Sequence, residues 1–87
     1  MNKYFALRKT NRMRTELLTE KSQEQLKEVI RYLRRVSWDF CGIELVRSDL
    51  LDIAIQANKE NQELFHSISD AKTFVEEVKP SLKALRA

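Results

Sequence analysis

The chain has 87 residues, of which 43% are hydrophobic and 33% charged, with a formal net charge of +3. A chain of this length forms one small domain with a thin core, and its single glycine and single proline exclude a fold rich in tight hairpin turns. One cysteine excludes an internal disulfide, and no apolar stretch reaches the roughly 20 residues needed to cross a bilayer, so we expect a cytoplasmic protein without a membrane partner.

The first predicted helix covers residues 2–19, where helix-favouring residues dominate. Its middle, RKTNR at positions 8–12, has no apolar residue, so we expect the helix to be weakest there. The candidate buried positions are Tyr4, Phe5, Met13, Leu17 and Leu18.

The second predicted helix covers residues 22–41. Ser22 followed by Gln25 matches a capping box at its start, with Thr19 as the rival N-cap. Apolar residues recur at steps of three and four, which predicts one buried stripe made of Leu26, Val29, Ile30, Leu33, Val36 and Phe40.

The glycine at position 42 predicts the end of that helix in a left-handed conformation. The neighbouring Cys41 is expected to be a buried, unreactive thiol, because no histidine follows closely enough to activate it. A third helix is predicted over 43–61, again from apolar residues at steps of three and four.

A fourth helix is predicted over 69–79, with Ser67 or Ser69 as its cap. It should stop before Pro80, since the residue preceding a proline avoids the helical conformation. These elements predict an all-α protein, a small bundle of three to four helices in one domain over residues 1–87. Its second half should be held together by Leu50, Ile53, Leu64, Phe65, Phe74 and Val78.

Several short motifs resemble those of a family of small bacterial helical proteins of unknown function. The matching residues are Leu18 to Glu20, KEVIRYL at 27–33, DLLD at 49–52, Ile68 to Asp70, and Phe74. Some members of that family carry a DNA-binding ferritin-like label, and many are encoded beside PadR-type transcriptional regulators. The resemblance implies a helical bundle, although this chain has Thr19 where the family has proline and lacks the family's loop glycines at Asn61 and around Ser69.

The ferritin-like label draws attention to Glu63 and His66, which have the Glu-x-x-His spacing of di-iron carboxylate bundles. A complete site needs two such pairs, and this chain has one histidine. We therefore expect no metal, no cofactor and no catalytic residue.

Charge is unevenly distributed, since residues 1–35 hold ten Lys or Arg against four Glu and residues 36–87 hold six against nine acidic residues. Three interpretations are open: a basic face for an anionic partner, complementary packing of the two halves, or complementary packing between copies. The second helix carries a basic stripe, which predicts a surface that contacts nucleic acid or another anionic partner. Four basic residues of the first helix add to this surface: Arg8, Lys9, Arg12 and Arg14. The residues of this stripe are Lys27, Arg31, Arg34 and Arg35.

Two aromatic residues, Tyr32 and Trp38, lie at the edge of the apolar stripe, where they either anchor a protein interface or are covered by the first helix. An acidic outer face of the third helix is expected to complement the basic second helix through Asp49, Asp52, Glu60 and Glu63.

The sequence thus favours a non-enzymatic helical interaction module that associates with itself or with another protein. The alternative is an accessory nucleic-acid-binding protein that uses the basic face of the first two helices.

Overall fold

The computed structural model describes residues 3–65 and 68–83, and within them the chain is all-α, as predicted, with no β-strand. There are four helices, α1 (Lys3–Thr15), α2 (Glu20–Val36), α3 (Phe40–Lys59) and α4 (Ile68–Val78), followed by a 3₁₀ turn (Lys79–Ser81).

The central element is α3. Both α1 and α2 pack against it, whereas α1 and α2 make little contact with each other, and α4 packs against α2. The result is a flattened molecule with dimensions of 37 × 34 × 16 Å. A groove runs along α2, with Thr15 of α1 and Arg47 of α3 completing its lining.

The core is formed mainly by the predicted stripe of α2 and one side of α3. From α2, Leu26, Val29, Ile30 and Leu33 are buried, as their spacing predicted, and Val36 is half-buried. Phe40 was predicted to end this stripe, but it is exposed and begins α3, because α2 stops at Val36. The other buried apolar residues are Leu18, Ile43, Val46, Leu50, Leu51, Ala54, Leu64, Phe65, Val75 and Leu82. Ile53 was predicted to join them but is exposed, since the core side of α3 is set by Leu50, Leu51 and Ala54.

The first helix differs most from its prediction. It ends at Thr15 rather than at residue 19, because Thr19 adopts an extended conformation (φ −63°, ψ 156°) to cap α2. Phe5, Met13 and Leu17 are exposed instead of buried. The side that α1 turns towards α3 is polar and centres on Asn11, the only buried residue among those described in this helix.

The cap of α2 is Thr19, the rival N-cap, and not Ser22. The Oγ1 atom of Thr19 accepts a hydrogen bond from the Ser22 backbone N–H at 3.3 Å. Ser22 is buried, and its own hydroxyl oxygen accepts from Asn58 Nδ2 (3.0 Å) and from the Leu64 N–H (3.3 Å). The predicted capping box is therefore absent, because Gln25 pairs instead with the backbone N–H and carbonyl of Phe65.

Gly42 marks the beginning of a helix, so the prediction that it ends one is wrong. Helix α2 ends at Val36, and Asp39 caps α3 by accepting from the Gly42 N–H at 2.9 Å. A Cβ atom at position 42 would lie only 2.7 Å from the Asp39 Cγ, which explains a glycine in this first turn. Cys41, in the same turn, is exposed and not buried as predicted.

Among the residues that the structure describes, Asn61 adopts the left-handed conformation, with φ of 59°. The Gln62 N–H donates to the Ala57 carbonyl (2.8 Å) and the Asn61 N–H to the Asn58 carbonyl (3.1 Å), the hydrogen-bond pattern of a Schellman motif. Asparagine tolerates this conformation better than most residues. It ends α3 two residues earlier than predicted, at Lys59.

At the other end of the chain, α4 stops at Val78 before the turn that contains Pro80, as predicted. Ser69 lies inside α4, where its carbonyl accepts from Thr73 Oγ1 at 3.0 Å. Ser67, the other predicted cap, lies outside the described residues.

Candidate functional site

A carboxylate is buried where α1 meets α3. Glu44 is 1% exposed. The Nδ2 atom of Asn11, also buried, donates to both the backbone carbonyl and the Oε2 atom of Glu44, each at 3.0 Å. A buried carboxylate is costly unless it is paired, so the groups around it define the electrostatics of this region.

Two arginines from different helices flank this carboxylate. Arg47 Nε lies 3.6 Å from Glu44 Oε2, and Arg34 Nη2 lies 3.9 Å from Glu44 Oε1. Both distances are longer than a hydrogen bond. Within the described part of the chain, Glu44 Oε1 and Arg47 Nε have no hydrogen-bond partner. The arginines are therefore attracted to Glu44 while keeping donor capacity unused.

Positive charge exceeds negative charge here. Burial lowers the pKa of the Arg47 guanidinium; the charge of Glu44 opposes this effect, and the nearby charges of Arg34 and Arg8 add to it. One carboxylate is thus paired with two arginines, from α2 and α3, and the charge of Arg8 of α1 acts on one of them, Arg47.

A groove with a volume of about 490 Å³ adjoins this cluster on the α2 side. Its apolar floor includes Leu26 and Ile30, two residues of the core stripe. The remaining lining residues are Thr15, Glu20, Gln23, Glu24, Lys27, Arg31, Arg34 and Arg47. We call it the basic groove, since four of these side chains are cationic and two are acidic.

The structure divides the predicted basic stripe into two parts. Lys27, Arg31 and Arg34 line the basic groove, whereas Arg35 does not, although all four are exposed. Arg31 forms an ion pair of 2.9 Å with Glu28. Lys27 and Arg35 form no ion pair with any residue in 3–65 or 68–83.

Sequence reasoning missed Glu44 and Arg47. The available signal was an acidic and a basic residue three positions apart on α3, interleaved with Ile43, Val46 and Leu50 of its buried side. Spacing of three places two such side chains next to each other on a helix, and their position among apolar residues indicates burial.

The two edge aromatics are not covered by α1. Trp38 is 57% exposed in the segment between α2 and α3. Tyr32 is 40% exposed and lines a shallow groove between α2 and α4. Lys79 Nζ lies 5.6 Å from the centre of its ring, and the hydrogen bond to Tyr32, followed by that to Glu76, raises the Lys79 pKa.

Of the acidic residues predicted to complement the second helix, one pairs with α2 as predicted and another pairs with α1. Asp52 pairs with Arg14 of α1, and Arg14 also donates to Ser48 Oγ at 3.3 Å. Glu63 lies beyond α3 and pairs with Lys21 of α2 at 3.0 Å. Of the predicted acidic residues, Asp52 therefore contacts α1 and Glu63 the start of α2. The basic stripe pairs with α3 through a different acidic residue, Glu44, which lies 3.9 Å from Arg34.

Glu63 and His66 can be assessed only in part, because His66 lies outside the described residues. In the segments 3–65 and 68–83 no three His, Cys, Asp or Glu side chains come together as a metal site would require. Nor does any helix in these segments have the length and apolar character to cross a membrane.

Comparisons of the chain with protein-family models, with curated proteins and with solved structures found no match. The resemblance to small bacterial helical proteins stays a prediction.

Proposed function

We propose that the chain is a non-enzymatic interaction module that pairs with a second copy of itself. The observation that carries this proposal is the number of large apolar side chains left in contact with solvent. These exposed residues are Phe5, Met13, Leu17, Tyr32, Trp38, Phe40, Leu45 and Ile53.

The size of the surface supports the same proposal. The accessible area is 6146 Å², compared with about 5,400 Å² expected from the size scaling of folded monomers at this mass. The flattened shape of the molecule accounts for the excess accessible area. For comparison, a standard protein interface covers roughly 800 Å² on each partner. A second copy would thus add the apolar burial that one thin domain lacks.

A second copy also fits the arrangement of charge. Along α3, Leu45, Asp49 and Ile53 follow one another at steps of four and are all exposed, giving an apolar stripe with an acidic centre. Along α2, Arg31 and Arg35 belong to an exposed basic stripe of the same spacing. In a two-fold dimer, each of these faces would meet the other twice.

The two exposed aromatics supply the anchors for such an interface. Aromatic rings bury a large area for little loss of side-chain entropy. Tyr32 lies on α2 beside the basic stripe, and Trp38 lies just after the end of α2. Since Trp38 is the single tryptophan, its fluorescence reports directly on this region.

Light scattering coupled to size-exclusion chromatography tests the proposal across a hundredfold range of protein concentration. The measurement is made at about 50 and 500 mM salt, because the Debye length is several ångströms shorter at the higher salt concentration. We expect a dimer that dissociates on dilution, with a red shift of Trp38 emission. The double variant Leu45→Ser plus Ile53→Ser should be monomeric, whereas Met13→Ser, an equally exposed apolar position on α1, should pair normally. A wild-type monomer at every concentration would refute self-association.

A second candidate function, accessory nucleic-acid binding, is favoured by one observation: the exposed cations Lys27 and Arg35 make no ion pair with a described residue. Binding of a labelled oligonucleotide should weaken steeply with salt, because phosphate contacts release counterions. The double variant Arg31→Glu plus Arg35→Glu should abolish it. Absence of binding at low salt would remove this candidate.

A further inference from the structure

The two ends of the basic groove differ in charge. Arg34 and Arg47 lie at one end and Glu20 and Glu24 at the other, with Lys27 between them. The helical rise of 1.5 Å per residue places Glu20 about 21 Å from Arg34 along α2. A ligand in this groove therefore meets cations at one end and carboxylates at the other.

The basic end is organised before any ligand arrives. Arg34 and Arg47 come from different helices, and both are held near the same buried carboxylate, Glu44, at 3.9 and 3.6 Å. The carboxylate in turn accepts one hydrogen bond from Asn11, whose amide nitrogen also donates to the Glu44 backbone carbonyl. Groups positioned in this way lose little freedom when they bind an anion.

The same end retains unused binding capacity. Arg47 Nε is buried without a hydrogen-bond partner among the described residues, and it lies 3.6 Å from Glu44 Oε2, beyond hydrogen-bond distance. The single charge of Glu44 is paired with both Arg34 and Arg47. After burial, the charges of Arg34 and Arg8 also lower the pKa of Arg47, because they repel its guanidinium. An added negative charge would relieve this repulsion.

We propose that the basic end of this groove binds the phosphate group of a compact phosphorylated small molecule. Guanidinium groups match phosphate oxygens in pairs, and Arg34 and Arg47 present two of them from facing helices. The volume of about 490 Å³ lies within the range of small-molecule sites. A nucleic-acid strand lying along the whole groove would bring phosphates towards Glu20 and Glu24, which disfavours that occupant.

The groove and the face proposed for self-association share Arg31, but they differ at the two arginines that follow it. Arg34 lines the groove and Arg35 does not, although both are exposed arginines in the last turn of α2. They form a matched pair in which the same charge is removed at adjacent positions.

Isothermal titration calorimetry with sodium pyrophosphate at about 50 mM salt tests the proposal. All three proteins are compared at a concentration at which light scattering gives them the same oligomeric state, because Arg35 belongs to the proposed self-association face. We expect wild type to bind, Arg34→Gln to bind about tenfold more weakly or worse, as loss of a charge-assisted hydrogen bond implies, and Arg35→Gln to remain within about twofold of wild type. No binding by wild type at millimolar pyrophosphate would overturn the proposal. Equal weakening by both variants would overturn it too, since it would indicate general charge attraction.

Two further measurements separate the outcomes. Titration with a twenty-nucleotide oligothymidylate distinguishes binding of a nucleic-acid strand from binding of a compact phosphate. If the strand binds more tightly than pyrophosphate, and if both variants weaken its binding equally, the ligand binds the open face of α2 and the proposed groove site is wrong. The second measurement is an NMR titration of the wild-type protein with pyrophosphate, which follows the amide chemical shifts and does not depend on whether a variant folds. Shifts centred on Arg34 and Arg47 are expected, and shifts confined to other residues would contradict the site.

Discussion

Asn11 and Glu44, 33 residues apart, form a polar contact at the centre of the interface between α1 and α3. One amide nitrogen donates to the backbone carbonyl and to the carboxylate of the same residue, each at 3.0 Å. Such a contact fixes the position of α1 along α3 in a way that apolar contacts do not, because a shift of one turn would leave the buried carboxylate without a donor.

Replacing Asn11 with alanine should therefore destabilise the fold. The Glu44 carboxylate would lose the hydrogen bond to its Oε2 atom while remaining buried, at an expected cost of about 1–3 kcal/mol in the free energy of unfolding. Urea denaturation measures this cost. Thr10→Ala, at an exposed position on the same helix, is the control and should change stability by less than about 0.5 kcal/mol. Equal stabilities of the two variants would contradict the role given to Asn11.

The sequence predicted the parts of the fold that depend on periodic apolar burial. The stripe of α2 repeats every three to four residues, so its buried side could be assigned before the structure was known. The side of α1 could not, because its contact with α3 is made by a polar residue, Asn11, while Phe5 and Met13 face solvent. Periodicity detects apolar burial and is blind to a buried hydrogen bond.

The candidate site was predictable to a similar degree. Three of its cations, Lys27, Arg31 and Arg34, follow from spacing along one helix. The fourth, Arg47, enters only through the packing of α3 against α2, which no local pattern specifies. The predicted helix boundary at Gly42 was wrong for another reason. A glycine is needed there because a side chain would collide with Asp39, and not because the backbone is left-handed.

A pair of leucines tests the core assignment. Leu33 is fully buried, at 0% exposure, and Leu17 is 72% exposed. Leu33→Ala should lower the free energy of unfolding by about 2–5 kcal/mol through lost burial and the cavity left behind. Leu17→Ala removes the same atoms from the surface and should stay within about 0.5 kcal/mol of wild type. Thermal melts followed by circular dichroism compare the two, and similar losses would refute the assigned packing.

At the start of α3, replacing Gly42 with alanine should have two opposing effects on stability. In an ordinary helix, Gly→Ala stabilises by roughly 0.5–1 kcal/mol. At position 42 the added methyl would displace the Asp39 carboxylate, with loss of a cap worth about 1 kcal/mol. Gly42→Ala should therefore give no stabilisation in wild type, but the usual stabilisation in an Asp39→Ala background. A double-mutant cycle from urea denaturation measures the difference, and additive effects would contradict the steric argument.

The pH dependence of stability should also reflect Asp39. Hydrogen bonds from the Gly42 N–H and then the Lys83 N–H hold its pKa below the ordinary value of 3.8, and the charge of Lys83 acts in the same direction. A carboxyl whose pKa is lowered in the folded state contributes its full stability above the unfolded value of 3.8 and loses it as the pH falls through the lower, folded value.

Asp39→Asn isolates this contribution, because the amide oxygen can still accept one backbone hydrogen bond but carries no charge. Urea unfolding at several pH values should show wild type more stable than the variant near neutral pH, with the difference shrinking only below about pH 3.8. Asp49→Asn, at an exposed position farther along α3 for which no such hydrogen bonds occur among the described residues, provides the control. A difference between wild type and Asp39→Asn that stays constant down to the acid limit would show that the cap works through geometry alone, since protonation of Asp39 would then have no effect on folding.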